Sequence, residues 1–197
     1  MTDATTFDEA ATLAAARDGD RSAFSALVKA YQRRAYAAAY TSMQNRDEAM
    51  DVAQDSFVKA YRAMDRFDPA MPFYPWLYRI VRNTALNAIK KKKRRGESSL
   101  ESMMEKGYDA RDEGRGPDGD AELRDLKRAL AGAMEALSPE QREIIRLRHM
   151  LELSYAEIAD CLGVPQGTVM SRLHGARKKL KETMSAASNK QRVPEVV

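Results

Sequence analysis

Apolar residues recur at intervals of three and four along most of this chain, the spacing of helices that bury one face. Near the C-terminus the pattern carries its own punctuation. Ser138, Pro139 and Gln141 read as cap, first helical residue and capping-box partner, and Ser154 with Glu157 repeats the box. Ile158, Ala159 and Leu162 form one apolar face of a short helix, ended by Gly163. Pro165 then opens a third helix, in which Val169, Leu173, Ala176 and Leu180 point inward and Ser171, His174 and Lys178 outward. A short helix, a three-residue turn with glycine and a second helix with a polar outer face is the geometry that enters a DNA major groove.

The N-terminal half also reads as helical. Thr6 with Glu9 and Asn45 with Glu48 form capping boxes, and Asp20 caps a long run whose apolar stripe is Phe24, Leu27, Val28 and Tyr31. After Asn45, the residues Ala49, Val52, Ala53, Phe57 and Ala60 make a buried face. Asp47, Asp51 and Asp55 share another, which is either a solvated acidic stripe or a dock for a basic partner helix. Pro69, Pro72 and Pro75 preclude regular helix from Asp65 to about Tyr74, and helix resumes near Pro75. Trp76, Leu77 and Ile80 are expected in the core. Tyr74 and Tyr78, four apart, make an exposed aromatic ledge beside Arg79, Arg82 and Asn83, suited to stacking single-stranded DNA, or else join Phe73 and Trp76 in the core. The run Lys90 to Arg95 is a phosphate-facing or solvent-facing helix end.

Composition sharpens this. The 197 residues are 44% hydrophobic and 31% charged, with a pI near 9.1, which suits a soluble protein with an anionic partner. No apolar stretch is long enough to span a membrane, the first residues are acidic where a signal peptide would be basic, and a lone Cys161 fits a reducing cytoplasm. Residues 1 to 95 carry net charge +6, residues 96 to 122 carry −6 in a Gly, Ser, Asp and Glu-rich stretch, and residues 123 to 197 carry +4. The expected fold is therefore all-α: two small helical domains joined by a flexible acidic linker. His149, Cys161 and His174 stand at no ligand spacing, so no metal is expected, and no nucleophile motif or phosphate loop points to catalysis or a cofactor. An autonomous helix-turn-helix regulator and a basic helical adaptor stay open as rivals.

The segments GDRSAFSALVKAYQ, RDEAMDVAQDSFVKAYRAMDRF, FYPWLYRIVRNTALN and LSPEQREIIRLR through GTVMSRLHGARKKL, in this order, resemble a bacterial extracytoplasmic-function (ECF) sigma factor of the RpoE-like type. The resemblance implies sigma domain 2 over residues 1–95, a linker over 96–122, sigma domain 4 over 123–185 and a tail over 186–197. It implies a promoter-specificity subunit of RNA polymerase, not an enzyme, acting in the cytoplasm in a stress or envelope response. Asp47, Glu48, Asp51 and Asp55 would dock on the β′ clamp helices of core polymerase. Asp65, Phe67, Asp68 and Phe73 belong to the loop that captures a flipped base of the minus ten element, with Tyr74, Trp76, Tyr78, Arg79, Arg82 and Asn83 along the strand-binding face. Thr168, Met170, Ser171, Arg172, His174, Arg177, Lys178 and Lys179 would meet the minus thirty-five element. The acidic linker would thread toward the active-site cleft and RNA exit channel. The β flap and an anti-sigma factor complete the implied partners, with no membrane. Met50, Met170 and Gly175 depart from residues common in the family, leaving the base preference of the third helix open.

Overall fold

The computed structural model describes residues 7–69, 71–95 and 117–191, with side chains in the second half from 123 to 186. All regular structure among the described residues is helical. The chain divides into two compact units, Met1–Lys106 and Gly107–Val197, and most of the acidic linker and the last residues of the tail lie outside what is described.

In the first unit, α1 (Glu9–Arg17) leads into α2 (Arg21–Met43), α3 (Arg46–Arg62), a single 3-10 turn (Met64–Arg66) and α4 (Phe73–Arg95). The cap of α1 is Asp8, whose carboxylate accepts from the Ala11 amide at 3.1 Å. This corrects the expected Thr6–Glu9 box: Thr6 lies outside the described residues, and an ionised acceptor next to the first turn also meets the positive end of the helix dipole. Asp20 caps α2 as expected, accepting from the Ser22 amide at 2.7 Å. The Ser22 hydroxyl and amide, then the Ala23 amide, hold its carboxyl below the ordinary value. Asn45 caps α3 by accepting from the Glu48 amide at 3.0 Å. The reciprocal half of that box is replaced, because the Glu48 carboxylate takes Lys92 of α4 at 2.7 Å instead.

The stripes then close a three-helix core. Phe24, Leu27, Tyr31, Ala35, Ala38 and Ala39 of α2 are buried, as are Val52, Ala53, Phe57 and Ala60 of α3 and Leu77, Val81 and Ala85 of α4. The many alanines bring the helix backbones close. Ser56, fully buried, donates to the Val52 carbonyl at 2.6 Å, so its hydroxyl carries no desolvation penalty. Helix α4 starts two residues before the expected Pro75. A proline in the first turn is tolerated because those amides have no partner inside the helix.

The second unit contains α5 (Pro117–Glu135), α6 (Pro139–His149), α7 (Tyr155–Leu162) and α8 (Gln166–Gln191). Residues 117–122, read as tether, are helical. Both capping boxes form: Ser138 accepts from the Gln141 amide at 3.2 Å and Ser154 from the Glu157 amide at 3.2 Å, each answered by the Gln or Glu side chain. Gly163 ends α7 at φ 67°, a left-handed conformation that Gly adopts without steric penalty. Leu137, Ile144, Leu147, Leu153, Ile158, Cys161, Val169, Leu173 and Ala176 fill the core.

Arg142 of α6 ties the end of α5 to this core. Its guanidinium donates to the carbonyls of Met134 at 3.0 Å, Glu135 at 3.1 Å and Leu137 at 3.2 Å, adding donors to a helix terminus whose own amides of Ala136 and Leu137 reach only Gly132 and Met134. Arg142→Ala should lower stability by about 1–3 kcal/mol, the cost of stranding partly buried carbonyls. Arg142→Lys should recover little, since an ammonium on a flexible stem lacks the planar fork. Urea unfolding of the full chain reads the change; an unchanged midpoint would mean water replaces the guanidinium without cost.

Candidate nucleic-acid interface

Helix α3 buries Ala49, Val52, Ala53 and Ser56 and turns Asp47, Asp51 and Asp55 to solvent. Beside these carboxylates stand Met50, next to Asp51, and Val58, most of a turn beyond Asp55, each 49% exposed. The face is therefore a row of exposed charges with exposed apolar area beside it. Glu48 stands apart from the other three, being half-buried and paired with Lys92.

The aromatic segment behaves differently from the expected ledge. Tyr74 and Tyr78 are only 3% and 6% exposed. Helix α2 covers them: Tyr31 stacks on Tyr74 with ring centroids 6.2 Å apart, and the Arg34 guanidinium lies 3.6 Å from the Tyr74 ring centroid. Tyr31 also meets Phe73 edge-on at 5.1 Å, and Phe73 meets Phe67 at 5.7 Å. Phe67 and Phe73, buried as well, position the loop rather than offering their faces to it. Trp76, expected in the core, is half-buried; its ring rests on Phe67 at 5.1 Å and Phe73 at 5.7 Å and keeps surface of its own. Ile80 is half-buried too, whereas Leu77 is fully enclosed. Asp65 and Asp68 on the loop and Arg82 and Asn83 on α4 are exposed, with Arg79 half-buried between them.

Further along α4, Asn87, Lys90, Lys91, Lys93 and Arg94 line an open groove. Lys92 is withdrawn from that run by Glu48, so the basic stretch is divided between groove-lining cations and one lysine paired within the unit. Sequence reasoning missed this pairing and the cover provided by Arg34, since both join residues on different helices.

In the second unit α8 buries Val169, Leu173 and Ala176 and exposes Met170, Ser171, Arg172, His174, Arg177, Lys178 and Lys179, with Thr168 and Gly175 half-buried. These residues do not act alike. Arg177 leans on His149, the last residue of α6, with Nη2 to Nε2 at 3.2 Å. Loss of water around that imidazole, then the charges of Arg177 and Arg148, hold it below its ordinary pKa and so keep it neutral. At the other end of α6, the Glu140 carboxyl is held low by its own backbone amide, the Ser138 hydroxyl and, to a smaller degree, Arg172. Arg177 is thus a brace on one flank of the helix, while Arg172 is exposed on the other. Its outermost strip is Gly167, Met170, Ser171, His174 and Lys178, one turn following another. Ser171 donates its hydroxyl proton to the Thr168 carbonyl at 3.1 Å.

Two regions of one family match the two units: Sigma-70 region 2 over residues 27–95 and Sigma-70, region 4 over residues 127–180. The ECF RNA polymerase sigma-E factor of Haemophilus influenzae is 36% identical over 169 residues, covering 83% of this chain and 88% of that one. Among solved structures, the sigma factor RpoE of Bartonella quintana, in complex with the anti-sigma factor NepR, is 29% identical, covers 82% of this chain and 96% of its own, and superposes with a TM-score of 0.56. CnrH in complex with the cytosolic domain of CnrY is 27% identical, covers 90% and 97%, and gives a TM-score of 0.64. With both regions in family order and a relative this similar across most of both chains, the protein belongs to the ECF RNA polymerase sigma factors, non-enzymatic initiation factors that direct RNA polymerase to promoters.

Proposed function

We propose that this sigma factor docks on the β′ clamp helices of core polymerase through Asp47, Asp51 and Asp55, with Met50 and Val58 filling the contact beside them. The observation that carries this reading is the exposed α3 face itself, on which carboxylates at four-residue spacing stand beside two large apolar side chains. Glu48 contributes by holding α4 against α3. The second unit meets the β flap and places α8 in the major groove of the minus thirty-five element, where Lys178 and Lys179 grip phosphates.

At the minus ten element the reading changes in its details. A flipped base enters between the exposed Asp65 and Asp68 side of the loop and Trp76, whose ring is the surface aromatic in place of Tyr74 and Tyr78. Stacking there supplies about 1–3 kcal/mol toward extrusion. Arg82, Asn83 and the basic end of α4 follow the strand backbone. Similarity to sigma-E factors supports a stress or envelope response, and the likeness to a sigma factor solved with its anti-sigma factor supports control by such an inhibitor in the cytoplasm.

Reversing Asp51 and Asp55 to Lys should abolish binding to core polymerase while leaving unfolding within about 0.5 kcal/mol of wild type, as expected for solvent-facing positions. Pull-down with core polymerase and urea unfolding of the same variant check both halves; retained affinity would remove α3 from the interface.

Arg82→Ala with Asn83→Ala should slow open-complex formation on a promoter without moving the unfolding midpoint. Tyr74→Ala should instead cost about 3–5 kcal/mol of stability, the price of a large buried ring. Permanganate footprinting of melted thymines, set beside unfolding curves, separates the two. Normal melting by the Arg82 and Asn83 variant would show that the strand runs elsewhere.

A further inference from the structure

We propose that Met170 and Ser171, set on either side of a gap left by Gly167, select an A·T base pair in the duplex that α8 enters. The inference rests on α8 being the minus thirty-five reading helix and names what it reads.

The gap comes first. On a helix of 3.6 residues per turn, positions three and four beyond Gly167 lie one turn above it, to its left and right. A Cβ built on Gly167 would meet nothing within 4 Å, so packing inside the chain does not demand glycine. Glycine in a helix is nevertheless unfavourable by about 1 kcal/mol relative to alanine. The missing side chain lies on the outward strip of the first turn, the part of a recognition helix that approaches base edges most closely. It lets the backbone, and with it the next turn, move nearer the groove floor.

That next turn presents two groups of defined chemistry. Met170 is 55% exposed, and its thioether brings apolar surface and no hydrogen-bond donor. Ser171 commits its proton to the Thr168 carbonyl, which leaves its oxygen lone pairs pointing away from the helix as acceptors. An A·T pair shows the major groove an adenine amino donor beside a thymine methyl. A G·C pair shows two guanine acceptors on the purine side, where adenine has its amino group, moves its one amino donor to the cytosine, and has no methyl; neither Met170 nor Ser171 satisfies an acceptor. The two side chains therefore favour A·T through an amino contact and a methyl contact, and disfavour G·C by leaving its acceptors dry.

The test uses holoenzyme made from the full chain and core polymerase, on promoter fragments whose minus thirty-five element has been selected from a random library. One selected A·T pair should weaken about fourfold when its thymine is replaced by deoxyuridine, the loss of one methyl's burial. Met170→Ala should abolish that sensitivity. Replacing the paired adenine with a purine lacking the amino group should weaken wild type and leave Ser171→Ala unaffected. A G·C pair in its place should bind poorly, and 5-methylcytosine opposite guanine should recover part of the loss, since it restores the methyl. Gly167→Ala should raise the unfolding midpoint while weakening the selected promoter roughly threefold or more. If selection yields no minus thirty-five preference at all, the assignment of α8 as reader falls. If a preference emerges but no thymine is sensitive to deoxyuridine, or Met170→Ala keeps the sensitivity, the reader stands and the Met170 and Ser171 assignment is overturned.

Discussion

Phe73 fixes the surface of the first unit. It has no exposed area, and the rings of Tyr31, Phe67 and Trp76 all meet it. The segment between the 3-10 turn and α4 contains Pro69 and Pro72 and makes few backbone bonds of its own, among them Phe67 to Met64 and Met71 to Asp68. Its path is therefore set by where its two phenylalanines are buried. Edge-to-face pairs contribute about 0.5–1.5 kcal/mol each beyond area burial, so a cluster of several holds a loop that hydrogen bonding would leave slack. Asp65 and Asp68 are aimed by that cluster, and Trp76 is held half out of it. On the proposed reading, a ring that stacks a base must be anchored without being covered, and Trp76 meets both demands where Tyr74 meets only the first.

The second unit solves the corresponding problem with charge. The C-terminal end of α6 holds α8, where His149 accepts from Arg177. Arg177, which the sequence reading counts as a DNA contact, thereby also ties α8 to α6. The outermost strip of α8 presents Met170, Ser171 and His174 ahead of Lys178. On the proposed reading, discrimination depends on methyl and amino groups, while Lys178 supplies attraction that is indifferent to sequence.

Most of the fold was legible because caps and stripes are local. Ser138 with Gln141, Ser154 with Glu157, Asp20 and Gly163 all act within four residues, and each forms as the spacing requires. The exception is the first helix, where Thr6 was expected as the cap and Asp8 caps the described helix instead. The site was less legible, since spacing tells which side chains share a face but not what covers it. Tyr74 and Tyr78 do share a face; it is the one that α2 occupies with Tyr31 and Arg34. Glu48 likewise sits where an acidic docking helix would want it, yet its partner is Lys92, 44 residues on. No local pattern contains that pair.

The Glu48–Lys92 pair also bears on how one small helical unit carries surfaces of opposite sign. The exposed carboxylates of α3 begin beside it, and the cations of α4 surround its other member. Both side chains are about two-thirds buried, at 33% and 39% exposure. As a contribution to stability a partly exposed pair of this kind is worth little, about 0–1 kcal/mol. Its electrostatic effect is spatial. By neutralising the one carboxylate and the one ammonium nearest each other, it leaves a boundary between an acidic face and a basic one, each of which acts over about 8 Å at physiological ionic strength. Under the proposed docking, a basic protein helix is drawn to one side of that boundary and a phosphate backbone to the other, so the two partners would engage the same unit without competing for its charges.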